Sequence, residues 1–160
     1  FSTSYATSSA SRKNNVKIKG EETDMDYELL RDIRNRKNAF GNLVGVKIVE
    51  IREGYAKTEL EVRPELMNPI DSLHGGVLFT MIDITGGSAA VSHGENVTTV
   101  DADIRYLRPG IGLKKISCEA EEIKRGKQLL VYRVDVKDEQ GTVLTTGTVT
   151  YMSLHDKVAL

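Results

Sequence analysis

Hydrophobic and polar positions alternate with different periods along the chain, and the changes of period divide it into helical and strand-like segments. From Asp24 to Phe40, the apolar positions recur at helical spacing. Acids stand at the beginning of this segment, where the helix dipole favours negative charge. The pattern predicts a first helix that ends within Asn38–Gly41.

Two strand-like segments follow the first helix. Val and Ile are enriched from Leu43 to Ile51, and Glu53-Gly54 indicates a turn. After the turn, every second residue from Ala56 to Val62 belongs to the buried side of a predicted half-exposed strand. Because so short a link joins them, the two strands are expected to form an antiparallel hairpin.

A nearly uncharged segment occupies the middle of the chain. Leu73–Val91 is apolar on almost all sides, which is typical of a buried helix, and Asp83 is the ionisable group at its centre. Gly86 and Gly87 leave room beside this helix. We therefore expect something large to pack there, either a sheet or the helix of another subunit.

Four more strands, separated by turns, complete the pattern. They are predicted at Val97–Tyr106, Lys114–Ile123, Gln128–Lys137 and Thr142–Met152. The order of elements predicts an α+β fold in which an antiparallel sheet wraps around the long central helix. We predict one domain over residues 23–155, a flexible N-terminal tail at 1–22 and a C-terminal tail at 156–160.

Charge and cysteine content exclude several classes of protein. The net charge is -1, so no basic field favours nucleic acid or a membrane surface, and no apolar run approaches the roughly 18 residues of a membrane span. Cys118 is the one cysteine and cannot form an internal disulfide. It lies on the apolar face of a predicted strand, where we expect it to be buried. No Cys/His spacing predicts a metal site. A cytoplasmic, reducing compartment fits best.

The first twenty residues differ from the rest in composition. Phe1–Gly20 is rich in Ser and Thr, is basic, and has no acid before Glu21. A disordered tail or a non-native extension is the preferred interpretation, because no amphipathic Arg pattern is visible. A remnant of an organelle transit peptide is the alternative.

Asp83 is the first candidate for chemistry. A carboxylate within an apolar helix must be paired, protonated or kept charged for a purpose, although it could also cap a neighbouring segment or face solvent at the helix edge. Upstream, His74-Gly75-Gly76 lies at the start of the same helix. Free N–H groups at a helix N-terminus could stabilise an oxyanion, and glycine lets a substrate approach closely.

Two segments carry a resemblance to a known family. Asn68–Asp83 (NPIDSLHGGVLFTMID) and Val100–Gly110 (VDADIRYLRPG) resemble the signature of PaaI-like hotdog-fold acyl-CoA thioesterases. The similarity extends from about Asp24 to Met152 with matching element order. It implies a hotdog fold, hydrolysis of acyl-CoA to free acid and coenzyme A, and a homodimer that forms the active site, usually within a homotetramer. It implies no separate cofactor, because coenzyme A is part of the substrate.

The resemblance also implies a role for each matching residue. Asp83 would be the nucleophile or the general base for water, and the Gly75 N–H would hold the thioester oxygen. Asn68 would orient water or the thioester, His74 would support the loop and the carbonyl, and Thr99 would help to place the water. Gly75 and Asp83 of one working site would come from different subunits.

Basic residues in the predicted turns are candidates for contact with the phosphates of coenzyme A. Arg108, Arg125 and Lys127 are assigned this role, although basic turn residues are commonly only solvated. His93 and His155 lie near element ends and are expected at the surface.

Three other functions compete with the thioesterase interpretation. A non-catalytic acyl-CoA-binding or regulatory hotdog domain would not need the Asp83 carboxylate. A hotdog dehydratase or hydratase needs a different acid/base pairing, and the central helix has no His beyond its start. The last is an unrelated α+β domain in which Asp83 is a plain core residue.

Overall fold

The structure is a computed structural model, and it describes residues 25–160. The predicted tail at 1–22 therefore lies outside the described residues. Two short 3-10 turns, Pro64–Leu66 and Val91–His93, flank the central helix. The helices are α1 (Tyr27–Lys37), α2 (Ala39–Val44) and α3 (Gly75–Ala90), and the strands are β1 (Lys47–Arg52), β2 (Tyr55–Glu61), β3 (Glu95–Tyr106), β4 (Lys115–Arg125), β5 (Leu129–Lys137) and β6 (Val143–Lys157).

The six strands form one antiparallel sheet in the order β1-β2-β4-β5-β6-β3. Helix α3 contacts every strand of the sheet. In β2, every second residue points towards α3 and is buried. These residues are Ala56, Thr58 and Leu60. This arrangement confirms the predicted α+β fold and the predicted β1–β2 hairpin, and it leaves β1 and β3 as the sheet edges.

The small residues of α3 allow the sheet to approach it. A Cβ at Gly86 would collide with the Tyr151 hydroxyl, and a Cβ at Gly87 would lie 3.5 Å from the same ring. Tyr151, on β6, is fully buried and meets Tyr132 of β5 edge to face, with ring centroids 6.0 Å apart. The large group predicted to pack against the two glycines is therefore a residue of the sheet.

The first helix ends within Asn38–Gly41, as predicted, but the first predicted strand is partly wrong. Asn38 ends α1, and its side chain accepts a hydrogen bond from the Gly41 N–H at 2.9 Å, which begins the separate helix α2. Leu43 and Val44, predicted as strand, belong to α2. Gly45 ends this helix with φ +98°, a conformation that glycine adopts at little cost.

Strands β3 and β6 are longer than predicted. Their pairing extends to Glu95 opposite Lys157, so β6 continues well past Met152. The backbone N–H of Val158 then donates to the Gly94 carbonyl at 3.0 Å. Among the described residues, no helix has the length and apolar character needed to cross a membrane.

Candidate active site

Asn68 fixes the loop that leads into α3. Its side-chain oxygen accepts from the N–H groups of Ile70 and Ser72, each at 3.0 Å, and its own N–H donates to the Ser72 carbonyl at 2.7 Å. These bonds form a tight asparagine turn. The Asn68 amide is therefore held in a fixed orientation just before the helix.

His74 caps the N-terminus of α3. Its Nδ1 accepts from the Gly76 N–H at 2.9 Å, so the proton of the neutral ring is on Nε2. No residue within 25–160 accepts a hydrogen bond from the N–H of Gly75. This N–H is one of the free donors at a helix N-terminus, where partial positive charge accumulates.

Tyr106 of β3 contacts Gly75. Its hydroxyl donates to the Gly75 carbonyl at 3.1 Å, and a Cβ at Gly75 would lie 3.3 Å from the Tyr106 ring. A cavity of about 270 Å³ opens between them, and Asn68 and Arg108 are among its lining residues. The arrangement leaves a backbone donor accessible in a shaped cavity, which is the requirement for binding a developing oxyanion.

The Asp83 carboxylate lies two turns further along α3. The Thr99 hydroxyl of β3 donates to Asp83 Oδ1 at 2.7 Å, and none of residues 25–160 donates to the second oxygen, Oδ2. Asp83 is half-buried rather than fully buried. It faces a cavity of about 450 Å³ that Thr99, Arg34, Lys37 and Tyr151 also line. A fixed carboxylate with one free oxygen can accept a proton or attack an electrophile.

Tyr151 and Arg34 surround Asp83, and the sequence analysis assigned neither of them a role. The Tyr151 hydroxyl donates to the Asp83 carbonyl at 2.9 Å. Burial, together with the Asp83 charge, raises the pKa of Tyr151 well above its usual value, so the tyrosine stays protonated. Arg34 Nε donates to Ser88 Oγ at 3.3 Å. Burial lowers the pKa of Arg34, and the negative charge of Asp83 opposes this effect.

The candidate residues fall into two separate groups within the chain. Thr99 lies with Asp83 in the larger cavity, whereas Asn68 lies with Gly75 in the smaller one, and His74 caps the N-terminus of α3 next to Gly75. Gly75 and Asp83 are eight residues apart on one helix, which places them about 12 Å apart along its axis. One thioester carbonyl cannot contact both groups of the same subunit.

The three basic residues predicted to contact the phosphates of coenzyme A lie in two different cavities. Arg108 lines the Gly75 cavity and donates to the Val143 carbonyl at 2.8 Å. Arg125 and Lys127 line a different cavity beside the end of α3, and Arg125 lies 3.9 Å from the carboxylate of Glu53. All three remain predictions for coenzyme A binding.

The two histidines behave differently. His155 is exposed, as expected. The prediction that His93 lies at the surface is wrong, because its side chain is only 6% exposed. Its Nε2 pairs with Glu122, and its Nδ1 lies 3.8 Å from the Glu53 carboxylate. The turn after α3 places His93 between Glu53 of the β1–β2 turn and Glu122 of β4, which are distant from it in the sequence. Within residues 25–160, no three His, Cys, Asp or Glu side chains are grouped as metal ligands.

Cys118 is buried, as predicted. It is fully inaccessible, and burial raises the pKa of its thiol to about 12. A thiol in this state is a packing group, because the reactive thiolate is not formed near neutral pH.

Comparison of the sequence with protein families and with individual proteins finds thioesterases and esterases. A model of the thioesterase superfamily matches residues 71–145. A protein of Archaeoglobus fulgidus that is provisionally named an esterase is 30% identical over 124 residues, covering 76% of this chain and 80% of that protein. The acyl-coenzyme A thioesterase PaaI of Escherichia coli is 29% identical over 103 residues, covering 64% of this chain and 74% of PaaI.

Solved structures agree on the fold. The structure of Escherichia coli PaaI superposes with a TM-score of 0.78 at 23% identity, over 82% of this chain and 96% of PaaI. A thioesterase-like protein of Streptococcus pneumoniae, solved with coenzyme A, has a TM-score of 0.67 at 25% identity, over 71% of this chain and 89% of that one. The predicted hotdog fold is confirmed.

Proposed function

Because the chain belongs to the thioesterase superfamily, we propose that it hydrolyses acyl-CoA thioesters to a free acid and coenzyme A. The relatives support this choice of substrate: Escherichia coli PaaI is named an acyl-coenzyme A thioesterase, and the Streptococcus pneumoniae structure contains coenzyme A. Coenzyme A enters as part of the substrate, so the proposed reaction needs no separate cofactor.

The observation that carries the proposal is the Asp83 carboxylate. Asp83 lines the cavity, Thr99 donates to its Oδ1 at 2.7 Å, and none of the described residues donates to its Oδ2. A carboxylate that served only the fold would be expected to have both oxygens paired or solvated at the surface. At Asp83, one oxygen is fixed and the other is left for chemistry.

The reaction then has two routes with the same products. As general base, Asp83 Oδ2 takes a proton from water while the water oxygen attacks the thioester carbonyl. As nucleophile, Oδ2 attacks the carbonyl itself and forms a mixed anhydride, which water then hydrolyses. In both routes the Gly75 N–H stabilises the oxyanion, and its collapse breaks the carbon–sulfur bond and releases coenzyme A as a thiolate.

A homodimer would complete the site. The 12 Å separation along α3 supports a site whose Gly75 and Asp83 come from two copies of the chain. Strand β3 is an open edge of the sheet, with Val100 55% exposed and Tyr106 54% exposed. Pairing of β3 with its copy would cover this edge and bring the Gly75 cavity of one subunit towards Asp83 of the other. Association of dimers into a homotetramer stays a prediction.

Release of free thiol from a panel of acyl-CoA esters tests the proposed function. We expect wild type to release coenzyme A from at least one acyl class, at a rate proportional to enzyme concentration. A thiol-reactive dye suits this assay, because Cys118 is the one cysteine and is fully buried. Binding of acyl-CoA without release from any ester would instead favour the non-catalytic binding domain.

A further inference from the structure

One end of the Asp83 cavity carries an excess of positive charge. Ile33, Arg34, Lys37 and Asn38 line it from a single face of α1. The charged lining residues are the two cations Arg34 and Lys37 and the one carboxylate of Asp83. One positive charge in this cavity therefore has no partner of opposite sign among the lining residues.

Arg34 has hydrogen-bond donors that no described residue uses. A guanidinium has five N–H groups. In Arg34, Nε donates to Ser88 Oγ at 3.3 Å, and the other four N–H groups make no hydrogen bond to residues 25–160. No carboxylate of residues 25–160 lies within 4.0 Å of Arg34 or Lys37. A partly buried cation with unused donors is costly unless another group binds it. A substrate group that enters the cavity can accept from these donors.

The position of Arg34 shows which part of the substrate it would meet. Its Nη2 lies 3.9 Å from the point where a Cβ of Gly87 would be. Gly87 is one helical turn from Asp83, about 6 Å along α3. The long pantetheine arm separates the phosphates of coenzyme A from the thioester carbonyl by many more bonds than this. At so short a distance from the reacting carbon, Arg34 faces the acyl group.

We propose that this enzyme prefers acyl-CoA esters whose acyl group ends in a carboxylate, and that Arg34 determines the preference. The inference rests on the proposed thioesterase function and names its substrate class. The planar guanidinium of Arg34 would hold the carboxylate through two parallel hydrogen bonds, and Lys37 would add a second positive charge at the mouth of the cavity. The distance from Asp83 suits a dicarboxylic acyl chain of about four to six carbons.

The test compares esters of equal length with and without the terminal carboxylate. Succinyl-CoA is paired with butyryl-CoA, and adipoyl-CoA with hexanoyl-CoA, and kcat/KM is measured for each. Wild type is expected to prefer the carboxylate ester of at least one pair. Arg34→Gln is expected to lower the ratio of kcat/KM for that ester to kcat/KM for its neutral partner by about tenfold or more. An effect on Asp83 that is common to both esters cancels in this ratio.

Variants on the same helix serve as controls. Arg36→Gln removes an exposed charge that does not line the cavity, and it should leave both esters unchanged. Arg34→Lys should retain part of the preference, and Lys37→Gln should reduce it by a smaller factor. Lys37→Gln also carries the test if Arg34→Gln does not fold.

Three outcomes would overturn the inference or its premise. Equal rates for both members of each pair, or a preference for the neutral ester, would show that the cavity does not select a carboxylate. A loss in Arg34→Gln that is equal for all esters, with weaker binding of free coenzyme A, would assign Arg34 to the coenzyme A phosphates. Absence of turnover on every ester would instead contradict the proposed thioesterase function itself.

Discussion

Replacing Asp83 with asparagine is expected to lower kcat for acyl-CoA hydrolysis by about 10²- to 10⁴-fold, the range of a lost general base. Asparagine has nearly the same size and can still accept the hydrogen bond from Thr99. It cannot take a proton from water, and its amide is a poor nucleophile. The fold and the cavity should survive, because Asp83 is half-buried and makes no ion pair within the described residues. Thiol release on the best ester measures the effect.

A matched variant separates chemistry from surface charge. Asp32→Asn removes a carboxylate from the exposed side of α1, where it pairs with Arg31 at 2.9 Å, and its kcat should equal that of wild type. Affinity for free coenzyme A should be the same in both variants. If Asp83→Asn kept more than about a tenth of the wild-type kcat, Asp83 would be neither the base nor the nucleophile.

Replacing Gly75 with proline is expected to lower kcat by about 10²- to 10³-fold, because it removes the N–H that would hold the oxyanion. The backbone is suited to this change. Position 75 is the first residue of α3, where proline is well tolerated, and His74 has φ -64° and ψ 133°, which a residue before proline adopts readily. The variant therefore deletes one donor and keeps the helix.

Gly75→Ala is the control for crowding. Both variants add a Cβ about 3.3 Å from the Tyr106 ring, but alanine keeps the N–H. Comparing kcat of the two variants isolates the donor, with circular dichroism to show that both are folded. Equal kcat values for Gly75→Pro and Gly75→Ala would show that the Gly75 N–H does not stabilise the transition state.

The sequence predicts the central part of the fold well. The apolar run around Asp83 indicates a buried helix, and the alternating segments indicate the strands that surround it, because burial on one face imposes these periods directly. The sequence predicts the end of the first helix but not the second helix, since Leu43 and Val44 suit a strand by composition. Local capping by Asn38 and the left-handed Gly45 decide for a second helix instead.

Among the candidate catalytic residues predicted from the sequence, only Thr99 of β3 lies outside α3 and the segment that leads into it. Asn68, His74, Gly75 and Asp83 lie in one segment and stand out together. Arg34, Tyr106 and Tyr151 come from distant elements, and their contacts arise only when α1 and the sheet pack on α3. For Arg34 a weak signal existed, because it is a charged residue within the apolar stripe of α1.

A mixed dimer tests whether two subunits share one thioesterase site. Asp83→Asn and Gly75→Pro chains are co-expressed with different tags and purified through both. In a shared arrangement, the mixed dimer has one doubly defective site and one intact site. We predict thiol release far above that of either parent variant, up to about half of wild type. A mixed dimer as inactive as its parents would contradict the claim and place both groups within one subunit.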